Sequence, residues 1–149
     1  RQVRRRERQR NVEVGLQSLR WLMSLQTTSA GYFRPVGSKS FGRIRRKPDA
    51  FDQQPVEASA TISACFAAWR ANFDAEWSQG AMHAFGWFLG ENDLRTALID
   101  PNTGSCSDGL HPDRLNENKG AYWTTEPCTR TDDNDVGSGK KELWKEMHP

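Results

Sequence analysis

The sequence predicts an all-α protein of three helices joined by long polar loops. In three stretches, apolar residues recur at steps of three and four, which is the spacing of one buried helix face. Residues that favour helix ends flank two of these stretches, and no alternation of strand and helix segments appears. A chain of 149 residues can bury one modest core, so we expect a single domain.

The first predicted helix begins at about Val12 and ends before Thr27. Its inner face consists of Val12, Leu16, Leu19, Leu22, Met23 and Gln26. Before it, residues 1–11 form a basic arm with six arginines and one glutamate. Such an arm can bind phosphate backbones, but no aromatic side chain stands between these arginines to stack on a base. We therefore expect a solvated arm and no binding of nucleic acid.

The second helix is predicted over residues 53–71. Pro55 suits its first turn, because the N–H that proline lacks has no partner to lose there. Asp52 or Gln54 would then be the N-cap. The predicted buried face of this helix consists of Val56, Ala60, Ile62, Cys65, Phe66 and Trp69.

The third helix is predicted over residues 75–89. Asp74 suits its N-cap, and Gly90 stands where a glycine commonly ends a helix. Because only a short turn separates the second and third helices, we expect them to form an antiparallel αα-hairpin.

Polar side chains crowd the start of the second helix, where Asp52, Gln53, Gln54 and Glu57 lie within six residues of sequence. Amide and carboxylate groups together donate and accept hydrogen bonds, which suits a ligand rich in hydroxyl groups. The alternative is that these residues only cap the helix and fix the incoming loop, with Glu57 near the third helical position completing the cap.

Residues 91–120 are predicted to be a long polar loop, and loops of this length are more often functional than idle. Leu98, Ile99 and Leu110 would pin the loop to the helices. The polar residues that would remain at the surface are Asp93, Asp108, His111, Asp113, Asn116 and Asn118.

Three segments resemble one known family. They are FDQQPVEA at residues 51–58, WFLGENDL at residues 87–94, and LIDPNTGSCSDGL at residues 98–110 with its continuation NENKGA at residues 116–121. They resemble motifs of bacterial carbohydrate-related domains that are built as an (α/α)6 toroid, belong with the six-hairpin glycosidases and often accompany glycosyltransferases. The resemblance covers residues 12–121 in order, and it is lost in residues 122–149, which we predict to be a divergent, disordered tail.

The resemblance implies an incomplete toroid, because three helices cannot close a ring of twelve. The chain would be a fragment of a carbohydrate-processing or carbohydrate-binding domain, linked to glycan synthesis or breakdown and inactive by itself. If it is active, the activity would resemble that of a glycoside hydrolase or would belong to a glycosyltransferase polypeptide. Carbohydrate cleavage uses two carboxyl groups, for which we select Asp52 and Glu57. The predicted substrate-binding residues are Gln53, Gln54, Asn92, Asp93, Asp108 and Asn118.

A second interpretation is a helical interaction module for a neighbouring glycosyltransferase. An open set of three helices leaves an apolar face uncovered, and that face could bind such an enzyme or another copy of the chain.

Composition excludes several classes of protein. The three cysteines form no CxxC pair, so we expect neither a disulfide framework nor a zinc site, and we place the chain in the reducing cytoplasm. No apolar run is long enough to span a bilayer, and no membrane partner is expected. Nucleotide-binding glycine motifs are missing, and we expect no cofactor and no metal.

Overall fold

The computed structural model describes residues 2–38 and 49–119. It contains the three predicted helices, which we label α1 (Gln2–Leu25), α2 (Pro55–Asn72) and α3 (Ala75–Phe88). Two short strands follow, β1 (Gly109–Leu110) and β2 (Leu115–Asn116). The tail predicted for residues 122–149 lies outside the described residues.

The two strands correct the all-α prediction. They pair antiparallel, with Gly109 opposite Asn116 and Leu110 opposite Leu115. Buried backbone groups need partners within the protein. Leu110 is buried, and its N–H and carbonyl pair with the carbonyl and the N–H of Gln53, which holds β1 against the start of α2. The protein is nevertheless mostly helical, since the helices hold about 52% of the described residues. The toroid stays a prediction.

Helix α1 begins well before its predicted start, at Gln2 instead of about Val12. The basic segment is therefore helical, which agrees with the high helix propensity of arginine. The pattern of apolar residues does not extend into this segment, so it could not indicate the helix there. No residue of α1 is buried. Leu16, Leu19 and Met23 pack against the other two helices, as the sequence predicts for this side.

Helices α2 and α3 form the predicted hairpin, joined only by Phe73 and Asp74. The Asp74 carboxylate accepts a hydrogen bond from the Glu76 N–H at 3.0 Å and caps α3, as expected. At the other end of α3, Gly90 has a φ of 106°, and the Glu91 N–H donates to the Gly86 carbonyl at 2.9 Å. This is a Schellman ending, so the prediction for Gly90 is confirmed.

The buried stripe of α2 differs from the predicted one. Its buried residues are Pro55, Ala58, Thr61, Cys65 and Ala68, whereas Val56 is 50% exposed. These small side chains allow α3 to approach closely, and Trp77 and Trp87 of α3 fill the space between the elements with large rings. Only Cys65 of the predicted face is fully buried, while Ile62 and Trp69 are partly buried at the edge of the core.

A second hydrophobic cluster attaches the polar loops to the hairpin. Phe33 from the loop after α1 and Leu98, Cys106 and Leu110 from the loop after α3 pack with Trp87. The loop residues Leu98 and Leu110 are thus buried, as the sequence predicts. This cluster brings the loop after α1 and the segment after α3 to the N-terminal end of α2, where the predicted site lies.

Candidate functional site

A pocket of about 210 Å³ lies at the N-terminal end of α2. It is lined by Val36, Ser38, Asp52, Gln54, Val56 and Glu57. It therefore brings together both predicted catalytic carboxylates and one predicted substrate-binding glutamine. Polar groups that converge next to apolar surface are the usual composition of a small-molecule site.

Glu57 is held in this pocket by two hydrogen bonds. Its Oε1 accepts from the Val36 N–H at 2.9 Å and from Gln26 Nε2 at 3.0 Å. Gln26 is fully buried, and the Thr61 hydroxyl donates to its Oε1 at 3.1 Å, which turns the amide nitrogen towards Glu57. Glu57 thus joins α2 to the loop after α1.

Gln54 is the N-cap residue of α2, and its side chain makes no capping hydrogen bond.

Asp52 lies beside His111, with 2.8 Å between Asp52 Oδ1 and His111 Nδ1. The contact follows from the backbone. Gln53 and Leu110 form an antiparallel bridge, in which the Gln53 N–H donates to the Leu110 carbonyl at 3.0 Å and the Leu110 N–H donates to the Gln53 carbonyl at 2.9 Å. Antiparallel pairing places the residue before Gln53 opposite the residue after Leu110, and these residues are Asp52 and His111.

This bridge requires a glycine at position 109. A Cβ atom added to Gly109 would lie 2.4 Å from the backbone oxygen of Gln53, which is shorter than any tolerable contact. Any larger residue would push β1 away from Gln53, so Gly109 sets the distance between the loop and the start of α2.

Gln53 is buried behind the pocket, where its side chain connects α3, the loop before α2 and the loop after α3. Its Oε1 accepts from Trp87 Nε1 at 2.8 Å, and its Nε2 donates to the Ala50 carbonyl at 2.9 Å and to Asp93 Oδ2 at 2.6 Å. With a relative exposure of 1%, this side chain supports the site from inside the protein. Its predicted contact with substrate stays a prediction.

Asp93 is the acceptor at the centre of a second set of hydrogen bonds. The Tyr32 hydroxyl donates to its Oδ1 at 2.7 Å, and Arg34 pairs with both carboxylate oxygens, with Nε donating to Oδ2 at 2.9 Å. Burial alone would raise the pKa of the Asp93 carboxyl, but the hydrogen bonds from Arg34, Tyr32 and Gln53 and the charge of Arg34 together lower that pKa below its usual value. Asp93 therefore remains a carboxylate and fixes the loop before α2.

Asn92 is fully buried, and its whole amide bonds to backbone groups of α3 and of the turn that follows it. Its Nδ2 donates to the Trp87 and Thr96 carbonyls, each at 2.8 Å. Its Oδ1 accepts from the Leu94 N–H at 3.2 Å and from the Thr96 N–H at 3.3 Å. The structure thus gives Asn92 the role of shaping the turn after α3, and its predicted role in substrate binding stays a prediction.

The remaining two predicted residues lie at the base of the β1–β2 hairpin. The Asp108 N–H donates to the carbonyls of Asn118 at 2.9 Å and Asn116 at 3.3 Å. Asn118 is exposed, and neither Asp108 nor Asn118 lines the pocket at α2. The structure therefore collects Asp52, Gln54 and Glu57 in one place and leaves this pair outside it.

Four side chains that contact the carboxylates Asp52, Glu57 and Asp93 were not assigned to the site from the sequence, namely Gln26, Tyr32, Arg34 and His111. Gln26 could have been found from the sequence, since it is a polar residue on the otherwise apolar inner face of the first helix. Tyr32 and Arg34 could not have been found in this way, because their contacts with Asp93 join residues 61 and 59 positions apart. His111 was expected at the surface, without a partner assigned to it.

Comparisons with models of protein families, with curated proteins and with solved structures found no match to this chain. The resemblance to six-hairpin glycosidases therefore stays a prediction. Within residues 2–38 and 49–119, no group of three or more histidine, cysteine, aspartate or glutamate side chains could hold a metal ion. In the same part of the chain, none of the helices has both the length and the apolar character that crossing a membrane requires.

Proposed function

We propose that this chain is part of a carbohydrate-binding domain of the six-hairpin glycosidase-like class, and that sugar hydroxyl groups bind in the pocket at the start of α2. The observation that supports this proposal is that Asp52, Gln54 and Glu57 line one pocket. Sugar hydroxyl groups both donate and accept hydrogen bonds. Carboxylates accept from them, while the Gln54 amide can do both.

The hydrogen bonds of the two carboxylates favour binding over catalysis by the chain alone. A glycosidase needs one carboxyl group that delivers a proton to the leaving oxygen. Oε1 of Glu57 already accepts two N–H groups, which leaves only Oε2 for that proton. Oδ1 of Asp52 is engaged with His111. We therefore expect binding of oligosaccharides without their hydrolysis.

Nuclear magnetic resonance titration of the full chain tests the proposal. With maltohexaose, cellohexaose and chitohexaose as probes, we expect amide shifts in residues 52–54, 56–57 and 36–38 for at least one of the three sugars. Gln54→Ala should weaken that binding about 5-fold, which corresponds to one hydrogen bond of about 1 kcal/mol. Gln79→Ala changes an exposed glutamine on α3 and should leave the affinity unchanged.

Two results would contradict the proposal. Shifts confined to other residues, or no shifts with any of the three sugars, would exclude the pocket as a sugar site. Turnover of a sugar by the wild-type chain, lost in Asp52→Asn or Glu57→Gln, would instead favour a glycoside hydrolase.

A separate observation favours the interaction module as the second candidate. The side of α1 that faces away from the hairpin exposes Val3, Val14, Trp21 and Leu25, with Trp21 64% exposed. Apolar side chains in a stripe of this kind are typical of a binding face. This candidate predicts association that is independent of sugar and is lost in Trp21→Gln. Sedimentation analysis of the chain alone, and of the chain with a glycosyltransferase encoded beside it, measures that association.

A further inference from the structure

Asp52 and His111 form the one histidine–carboxylate pair among the described residues. Their side chains are 34% and 29% exposed, so both groups reach solvent while part of each is held against the protein. Asp52 also lines the pocket at α2, whereas His111 is not among the residues that line it. The imidazole therefore lies at the edge of the proposed sugar site, where it contacts Asp52.

The backbone on both sides of the pair is fixed. Asp52 precedes the doubly hydrogen-bonded Gln53, and His111 follows Leu110 in the same bridge. The His111 N–H donates to the Arg114 carbonyl at 2.9 Å and closes the loop between β1 and β2. A side chain held on such a backbone is oriented before a ligand arrives, which lowers the entropic cost of binding.

The partner of Nδ1 determines what the other ring nitrogen can do. An ionised carboxylate only accepts hydrogen bonds, so Nδ1 of His111 must carry the proton in the 2.8 Å contact. In the neutral ring, Nε2 then presents a lone pair. No described residue forms a hydrogen bond with Nε2.

We infer that Nε2 of His111 accepts a hydrogen bond from a hydroxyl group of the bound sugar, and that Asp52 acts as the residue that orients the ring. This inference rests on the proposed function and deepens it, because it adds an imidazole acceptor to the two carboxylates and the amide of the pocket. It also gives Asp52 a positioning role in place of the catalytic role expected from the sequence.

The tautomer of His111 can be measured without any sugar. The sequence has three histidines, so long-range ¹H–¹⁵N spectra of the labelled chain are simple to assign by substitution. We expect His111 to be protonated on Nδ1 at pH 8, and we expect this preference to disappear in Asp52→Ala. A ring protonated on Nε2 in the wild type would overturn the inference.

The contribution to binding is tested with His111→Asn. The asparagine amide can still donate to Asp52 as Nδ1 does, but it provides no acceptor at the position of Nε2. With the sugar that binds best among maltohexaose, cellohexaose and chitohexaose, we expect His111→Asn to weaken binding about 5-fold with an unchanged urea midpoint. His83→Asn replaces an exposed histidine of α3 and serves as the matched control.

The outcomes separate the inference from the proposed function. If a sugar binds and His111→Asn binds it as tightly as His83→Asn does, the inference is wrong and the proposed function stands. If the wild type binds none of the three sugars, the proposed function is wrong, and this role of His111 falls with it.

Discussion

Replacing Gln53 by glutamate tests the interior support of the site with almost no change of shape. In the wild type, Nε2 of Gln53 donates to Asp93 Oδ2 at 2.6 Å and to the Ala50 carbonyl at 2.9 Å. A carboxylate at this position has no hydrogen to donate to either oxygen. It would also place a second negative charge next to Asp93 inside the protein.

The expected loss of stability follows from these contacts. Two partly buried acceptors lose their donor. The new charge, at a buried position, gains no partner, since Arg34 is already paired with Asp93. Such an uncompensated buried charge typically costs about 3–5 kcal/mol, and we expect Gln53→Glu to lower the free energy of unfolding by about this amount at pH 7. At pH 5 the loss should shrink, because the neighbouring carboxylate raises the pKa of the introduced carboxyl, and a protonated carboxyl can donate to Asp93.

Urea unfolding followed by circular dichroism at pH 7 and pH 5 measures both effects. Gln54→Glu is the matched control, because the adjacent side chain is exposed and stands at the positive end of the α2 dipole, where a negative charge is neutral or mildly favourable. If the two variants unfold within about 0.5 kcal/mol of each other, a spread typical of surface substitutions, the hydrogen bonds of Gln53 to Asp93 and Ala50 do not support the fold.

Three further predictions concern other parts of the same structure. Gly109→Ala should destabilise the chain by about 2 kcal/mol or more, since the added Cβ would collide with the backbone oxygen of Gln53. Gly15→Ala, in the open part of α1, should stabilise the chain by about 0.5–1 kcal/mol. Equal urea midpoints for the two variants would contradict this. Because the pKa of Asp93 is lowered, its contribution to stability is present above the unfolded-state pKa, about 3.9, and is lost as the pH falls through the folded-state pKa. Arg34→Gln should therefore reduce the loss of stability that the chain shows at acid pH. An unchanged dependence of stability on pH in this variant would refute the prediction. Burial raises the pKa of the Cys65 thiol to about 11, so iodoacetamide at pH 8 should alkylate it slowly in the native chain and rapidly in urea. Its contribution to stability is present below the unfolded-state pKa, about 8.5, and is lost as the pH rises from there through the folded-state pKa. Equal rates of alkylation in both states would show that this thiol is not protected.

The helix ends that depend on local chemistry could be predicted from the sequence. Asp74 and Gly90 act through hydrogen bonds to backbone groups a few residues away, so the signal and the structure lie in the same short segment. The start of α1 was missed because its first turns are arginine-rich and bury nothing, and apolar periodicity cannot detect such a helix.

The buried face of α2 was predicted with the wrong centre for a different reason. Ranking residues by apolar character selects Val56 over Ala58 and Thr61, but α3 packs against the small side chains. Which face is buried depends on the partner helix and on the two tryptophans that fill the interface, and this information is not local to α2.

The candidate site shows the same difference between features that are local in sequence and contacts between distant residues. Asp52, Gln54 and Glu57 are neighbours in sequence, so their meeting in one pocket could be predicted from the start of one helix. The partners that hold them could not, because Asp52 meets His111 across 59 positions and Glu57 meets Gln26 across 31. These contacts depend on the Gln53–Leu110 bridge and on the course of the loop after α1.

The run from Asp52 to Gln54 also shows why adjacent polar residues need separate tests. Gln54 has extended backbone dihedrals, and successive side chains of an extended segment point to opposite sides. Gln53 accordingly turns into the core, while its two neighbours line the pocket. A substitution at Gln53 therefore changes stability first, and any loss of ligand binding it causes reports on folding. Substitutions at Gln54 or His111 leave the internal bridge intact, so a loss of binding in these variants reports on the ligand itself.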